Sequence, residues 1–179
     1  MVLKSIRKAV AEVKSFKVII GCDNAAVELK EVVKEFLDKN RVPYEDMGCD
    51  SQEDPTVYPE IARRVCEKIM DSGYQDRGIL ICGTGIGMAI SANKFPGIRA
   101  AVCHDIFSTE RSVLSNNCSV MCMGERVIGK ELAKKMVEKW LSLEFVDGSS
   151  TPKVNAIKAI EKDTMLEPEH IGHTEKKIG

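Results

Sequence analysis

The chain has 179 residues, with 26 Lys and Arg against 27 Asp and Glu, and is 44% hydrophobic but only 5% aromatic. That length suits one domain burying about 70% of the surface its unfolded chain exposes, and a net charge of −1 excludes the broad basic face of an electrostatic nucleic-acid binder. No apolar run approaches the roughly 18 residues of a membrane span, and no apolar leader core follows the N-terminus, so neither a membrane partner nor secretion is expected.

Within an N-terminal extension of residues 1–16, Leu3, Ile6, Val10 and Val13 fall on one side of a helix and Lys4, Arg7, Lys8 and Lys14 on the other. Glu12 and the scarcity of Ser and Arg argue against a targeting presequence, so an added surface helix is expected. The run Lys17–Cys22 predicts a first strand, and Val27, Val32 or Val33, Phe36 and Leu37 share one face of a helix after it. Val42–Gly48 is a weaker run holding Pro43, and reads as an edge strand. Ile61, Val65, Ile69 and Met70 mark a second helix. Gly78–Cys82, continuously apolar at Ile79-Leu80-Ile81, predicts a buried strand, and Ile98–Cys103 and Cys118–Met123 add two more. Leu132, Met136, Val137, Trp140 and Leu141 form a final helical stripe, and the domain of residues 17–165 gives way to a polar tail, 166–179. Five strands, each followed by a helix, imply an α/β doubly wound parallel sheet covered on both faces, with ligands at the strands' carboxyl ends.

The seven cysteines, Cys22, Cys49, Cys66, Cys82, Cys103, Cys118 and Cys122, are odd in number, and several lie in strand-like runs. They read as reduced, buried thiols of a reducing, cytoplasmic compartment. There is no Cys-x-x-Cys, and Cys118 with Cys122 and His170 with His173 are the only metal-like spacings. No metal is expected.

The stretch that bears on chemistry is Gly78-Ile-Leu-Ile-Cys-Gly-Thr-Gly-Ile-Gly-Met88. A buried strand runs into Cys82, and Gly83, Gly85 and Gly87 open the helix that follows. Glycines there let backbone N–H groups approach a phosphate or oxyanion, and a helix N-terminus favours negative charge. The same potential would favour the Cys82 thiolate, pairing a base with a nest for the charge that forms. A buried structural cysteine is the competing reading. The spacing is neither the dinucleotide Gly-x-Gly-x-x-Gly nor a P-loop, for which no Gly-Lys-[Ser/Thr] follows.

Gly21-Cys-Asp23, Leu29-Lys30, Tyr58-Pro59, Ile81-Cys-Gly-Thr-Gly-Ile-Gly87, Ala92-Asn-Lys94, Gly97-Ile-Arg-Ala-Ala101 and Met123-Gly-Glu-Arg-Val-Ile-Gly129 together resemble the type B ribose-5-phosphate isomerases, a family that includes the galactose-6-phosphate isomerase subunits. The resemblance covers residues 17 to about 160. It implies a metal- and cofactor-free aldose–ketose isomerase with a Rossmann-like sheet of order 2-1-3-4-5, built as a homodimer or dimer-based tetramer with active sites at the interface. By the same resemblance Cys82 is the base, and Gly83, Gly85 and Gly87, with Ile86 between them, form the enediolate nest. Thr84 relays a proton, Asn116 helps hold the oxyanion, Asp23 and its neighbour Asn24 meet the sugar, and Arg126 meets the phosphate. Tyr58 either reaches in from the neighbouring subunit or packs at a helix start before Pro59.

The chain departs from the family pattern around the substrate. Asp-His-Ala is Asp23-Asn24-Ala25, the His-Asn pair of ring opening is Ser115-Asn116, and two arginines spaced by four are Ser149 and Lys153. Lys153 still offers a point charge for phosphate, without the bidentate fork. One explanation keeps ribose 5-phosphate and gives ring opening to His104, at the carboxyl end of a strand expected beside that of Cys82; a hydrogen-bonded structural histidine is the alternative. The other changes the substrate. A tetrose 4-phosphate cannot close to a furanose, because its C4 oxygen is esterified, and the stretch His104-Asp-x-Phe-Ser-x-Glu-Arg-Ser-x-Leu-Ser-Asn-Asn117 looks like the tetrulose-phosphate subgroup. The core motifs favour the ribose 5-phosphate reading. A non-catalytic sugar-phosphate sensor and a nucleotide-binding module rank below either.

Overall fold

The computed structural model describes residues 16–166. The expected N-terminal helix and nearly all of the polar tail lie outside them. Five parallel strands, β1 (Val18–Cys22), β2 (Tyr44–Asp46), β3 (Arg77–Cys82), β4 (Ala100–Val102) and β5 (Val120–Gly124), alternate with helices α1 (Val27–Asn40), α2 (Tyr58–Asp71), α3 (Ile86–Ala92), α4 (Ile106–Leu114) and α5 (Lys130–Leu141). A sixth helix, α6 (Thr151–Glu161), runs into a π-helical turn, Lys162–Leu166.

Period-two alternation along the strands builds two cores. Val18 and Ile20, Ile79 and Ile81, and Met121 and Met123 point to the face covered by α1, α4 and α5, where Leu29, Val33, Leu37 and Trp140 bury. Ile19, Leu80, Val120 and Cys122 point to the other face, under Ile61, Val65 and Ile69 of α2 and Met88 of α3. Val33, rather than the half-buried Val32, carries the α1 stripe. The helix ends follow local chemistry: Pro59 lies in the first turn of α2, and Asp105 caps α4 by accepting the Ser108 N–H at 2.7 Å.

The fold class is the expected one, but the strand order is β2-β1-β3-β5-β4. The last two strands exchange places relative to the expected 2-1-3-4-5. All five residues of β5 are buried, whereas the three of β4 are only partly so. The longer apolar strand takes the central slot beside β3, and the Ala-rich one takes the edge. His104, just past β4, is therefore separated from β3 by a whole strand.

Candidate active site

Cys82 ends β3, paired in register with Gly124 at the end of β5. The chain then turns through Gly83-Thr84-Gly85 into α3. Gly85 sits at φ +76°, and a Cβ there would lie 2.9 Å from the Met123 carbonyl carbon, so both backbone and space demand glycine. This turn brings the Gly85 N–H to 3.1 Å from Cys82 Sγ. The loop is pinned from β5, since Glu125 N–H donates to the Cys82 carbonyl at 2.9 Å and Arg126 N–H to that of Gly83 at 3.1 Å. Gly124 permits this approach, because a Cβ there would lie 2.7 Å from Thr84 Cα. The N–H groups of Gly83, Thr84 and Gly87 take no partner among the described residues, and together they form a concave donor surface next to the thiol.

The other thiols are held neutral. Burial pushes Cys22, Cys66 and Cys118 up to about 12 and Cys49 to about 11, and raises Cys103 and Cys122 as well. Those six are neutral packing groups.

Three side chains converge on the loop from other elements. The Arg126 guanidinium lies over Gly83, 3.5 Å from where a Cβ would stand. Asp23 leaves β1 beside it, its N–H donating to the Ile81 carbonyl at 3.3 Å and its Oδ1 accepting the Ala25 N–H at 3.1 Å. Burial raises the Asp23 carboxyl above the usual range, against the pull of the Ala25 N–H and the Arg126 charge. Tyr58, first residue of α2, lays its ring on Gly87 of its own chain, at 2.5 Å from a built Cβ. Within its own chain it borders the nest from the start of the helix that holds Pro59.

The other expected residues stand apart. Asn24 is exposed and donates to the Gln52 carbonyl at 3.2 Å, and Ile86 starts α3 with its side chain 53% exposed. Lys153 is exposed in the first turn of α6. His104 lies at the carboxyl end of the sheet, with a buried Nε2 that has no partner among the described residues. Asn116 lies at the opposite, amino end, just before β5, where it donates to the Arg111 carbonyl at 3.2 Å. The residue missed from sequence is Glu125. Its Oε2 accepts the Leu29 N–H at 3.1 Å, capping α1, whose own cap position is Ala26. It lay within Met123-Gly-Glu-Arg, but its partner is 96 residues away.

A cysteine beside a donor nest, with an arginine and a carboxyl at its rim, can move a proton next to a developing oxyanion. Residues 18–157 match the model of the ribose/galactose isomerase family. The chain belongs to that family. It is 49% identical over 150 residues to D-erythrulose-4-phosphate isomerase 2 of Mycolicibacterium smegmatis, covering 82% of this chain and 98% of that protein. It is 42% identical over 146 residues to ribose-5-phosphate isomerase B of Escherichia coli, covering 82% and 97%. The solved ribose-5-phosphate isomerase B of Clostridium thermocellum superposes with a TM-score of 0.78 at 40% identity, covering 83% of this chain and 99% of that one. This protein is thus a sugar-phosphate isomerase. Among its described residues no helix is long and apolar enough to cross a membrane.

Proposed function

We propose that this isomerase acts on an open-chain tetrulose 4-phosphate of the erythrulose type, interconverting it with the aldose through a cis-enediolate. The Cys82 thiolate removes the proton from C1 of the ketose and returns it to C2. The N–H groups of Gly83, Thr84 and Gly87 stabilise the enediolate, while that of Gly85, expected in the nest, holds the Cys82 sulfur. Thr84 moves the proton between the two oxygens, Asp23 takes a sugar hydroxyl and Arg126 the phosphate. The observation that carries the substrate assignment is the place of the imidazoles. By the family resemblance Ser115 takes the place of the ring-opening histidine, and β5 lies between the strand before His104 and that of Cys82, a lateral offset of about 10 Å. A substrate that cannot cyclise needs neither. Higher identity to the erythrulose-phosphate enzyme, 49% against 42%, supports the same reading.

A second copy completes the site in this reading. The length of β5, about 13 Å, separates the level of Asn116 from that of Cys82 within one chain, so Asn116 serves the site of a neighbour. Ile86 and Ile90, 53% and 59% exposed on one face of α3, supply an apolar surface for that contact.

The second substrate reading, ribose 5-phosphate, draws on the buried, unpartnered Nε2 of His104, which sits at the catalytic end of the sheet. Coupled turnover of erythrulose 4-phosphate, ribose 5-phosphate, allose 6-phosphate and galactose 6-phosphate on one preparation separates them. The highest kcat/KM belongs to the tetrulose phosphate, and a higher value for ribose 5-phosphate would reverse the assignment.

A further inference from the structure

The end of the sheet opposite Cys82 holds a cavity of about 300 Å³, bordered by Phe16, Arg77, Arg99, Cys118 and Phe145. That volume is within the range of small-molecule sites. Arg77, at the start of β3, is one of its lining residues. Its Nη1 donates to the carbonyls of Trp140 and Leu143 at 3.2 and 3.1 Å, and its guanidinium lies 3.7 Å from the Trp140 ring and 5.4 Å from that of Phe16. Its Nη2 is buried without a partner among the described residues. An unpaired buried donor on a cation is costly and calls for an acceptor.

No described residue supplies one. Arg77 makes no ion pair among the described residues. Asp76 spends an oxygen on the Lys17 N–H at 2.7 Å, and Glu144 is exposed and beyond ion-pair distance. Cys118 stays a neutral thiol, since burial lifts it to about 12 even with Arg99 and Arg77 beside it. Burial also draws the Arg77 guanidinium down to about 10, with Glu144 only partly opposing. Arg99 adds a second guanidinium, held by its bonds to the carbonyls of Asn117 at 2.7 Å and Gly97 at 3.1 Å.

We propose that this cavity is a second binding site, for a small organic oxyanion whose carboxylate or phosphate meets Arg77 Nη2 and whose apolar body lies between Phe16 and Phe145. Arg99 supplies the second charge. The site stands independently of the isomerase substrate, because the sheet separates it from Cys82.

Trp140 is the sole tryptophan and stacks on Arg77, so its emission reports on this cavity. The full chain is titrated with benzoate, phenyl phosphate and the neutral control benzyl alcohol. Benzoate or phenyl phosphate gives a saturable change in Trp140 emission, with affinity about tenfold or more above benzyl alcohol, as a charge-assisted hydrogen bond requires. Whichever anion binds tighter identifies the source chemistry. Arg77→Met abolishes the response and leaves isomerase kcat unchanged, whereas Arg126→Met impairs turnover and retains the response. If Arg77→Met does not fold, Arg99→Gln must still weaken anion binding several-fold. Absence of a saturable change with both anions, a response unaltered by the Arg77 and Arg99 substitutions, or its loss in Arg126→Met would each overturn the proposal.

Discussion

The sulfur of Cys82 accepts the main-chain N–H of Gly85 at 3.1 Å, a contact closed by three residues of sequence and held open to chemistry by the absence of a side chain at Gly85. Other thiols in the protein point toward carbonyls, as Cys22 does toward Cys49 and Cys103 toward Ala101. A carbonyl partner favours the protonated thiol, whereas an N–H partner favours the thiolate. This N–H contact sets Cys82 apart among the seven cysteines and supports its place as the base of the proposed mechanism.

Cys82→Ser keeps the hydrogen-bonding shape of the loop but replaces the acidic thiol with an alcohol. The variant should fold and still bind substrate while losing at least about 10²-fold in kcat, the usual worth of a positioned acid–base group. Steady-state kinetics beside a thermal melt checks this. A variant that turns over at the parental rate removes Cys82 from the mechanism.

Gly85→Ala tests the nest itself. The left-handed φ of +76° and the Met123 backbone 2.9 Å from a built Cβ leave no room for alanine without moving the loop. A left-handed non-glycine residue costs about 1–2 kcal/mol by itself, and displacing the loop that aims the Gly83, Thr84 and Gly87 donors adds about 10²-fold or more in kcat. The expected result is a modest fall in urea midpoint with a disproportionate fall in turnover. Equal turnover in the two proteins would show that the position of this loop does not hold the developing charge.

The substrate reading predicts the outcome of restoring the imidazole. Ser115→His should raise turnover of ribose 5-phosphate relative to erythrulose 4-phosphate, because only the pentose must open a ring. His104→Ala should spare the tetrulose phosphate. A strong loss on ribose 5-phosphate alone would assign ring opening to His104, and equal loss on both would make it a pocket residue.

Chelation gives an independent check. With the enediolate held by backbone N–H groups, activity should survive exhaustive EDTA treatment. Inactivation reversed by zinc or manganese would overturn that mechanism.

Stability should depend on pH through Lys30 and Asp46. The Lys30 side chain is fully buried, with Nζ 2.8 Å from Asp46 and 2.7 Å from the Cys49 carbonyl. Burial disfavours both charges, but their hydrogen bond prevails, so the carboxyl pKa is lowered and that of the lysine raised. The Asp46 contribution is thus present above the unfolded carboxyl value of about 3.9 and is lost as pH falls through the lower folded value. The Lys30 contribution is complete below about 10.4 and is lost as pH rises through its higher folded value. Lys30→Ala, which leaves Asp46 buried without its partner, should cost about 3–5 kcal/mol near neutrality, measured by urea denaturation. A cost below about 1 kcal/mol would mean that Lys34, 2.9 Å from the same carboxylate, suffices.

Much of this protein is decided by local pattern. The continuous burial of Val18–Cys22 and of Gly78–Cys82, the Ile61-Val65-Ile69 stripe and the glycines after Cys82 follow from unbroken apolar runs and 3.6-residue geometry. These needed only neighbouring residues, so the fold class and the nest were legible in the sequence. Strand order was not, because periodicity says that a run is a strand without saying which strand lies beside it. Only pairing across the sheet sets Val120–Gly124 beside β3 and moves Ala100–Val102 to the edge, taking His104 away from Cys82. The same holds for Asn116, which shares a chain with Cys82 but lies at the other end of the sheet, and for Tyr58, whose ring meets Gly87 29 positions on through α2 packing over α3. Glu125 caps a helix that begins almost 100 residues earlier. Each of these contacts is made by packing between distant segments, whose energy depends on three-dimensional proximity that no local periodicity encodes.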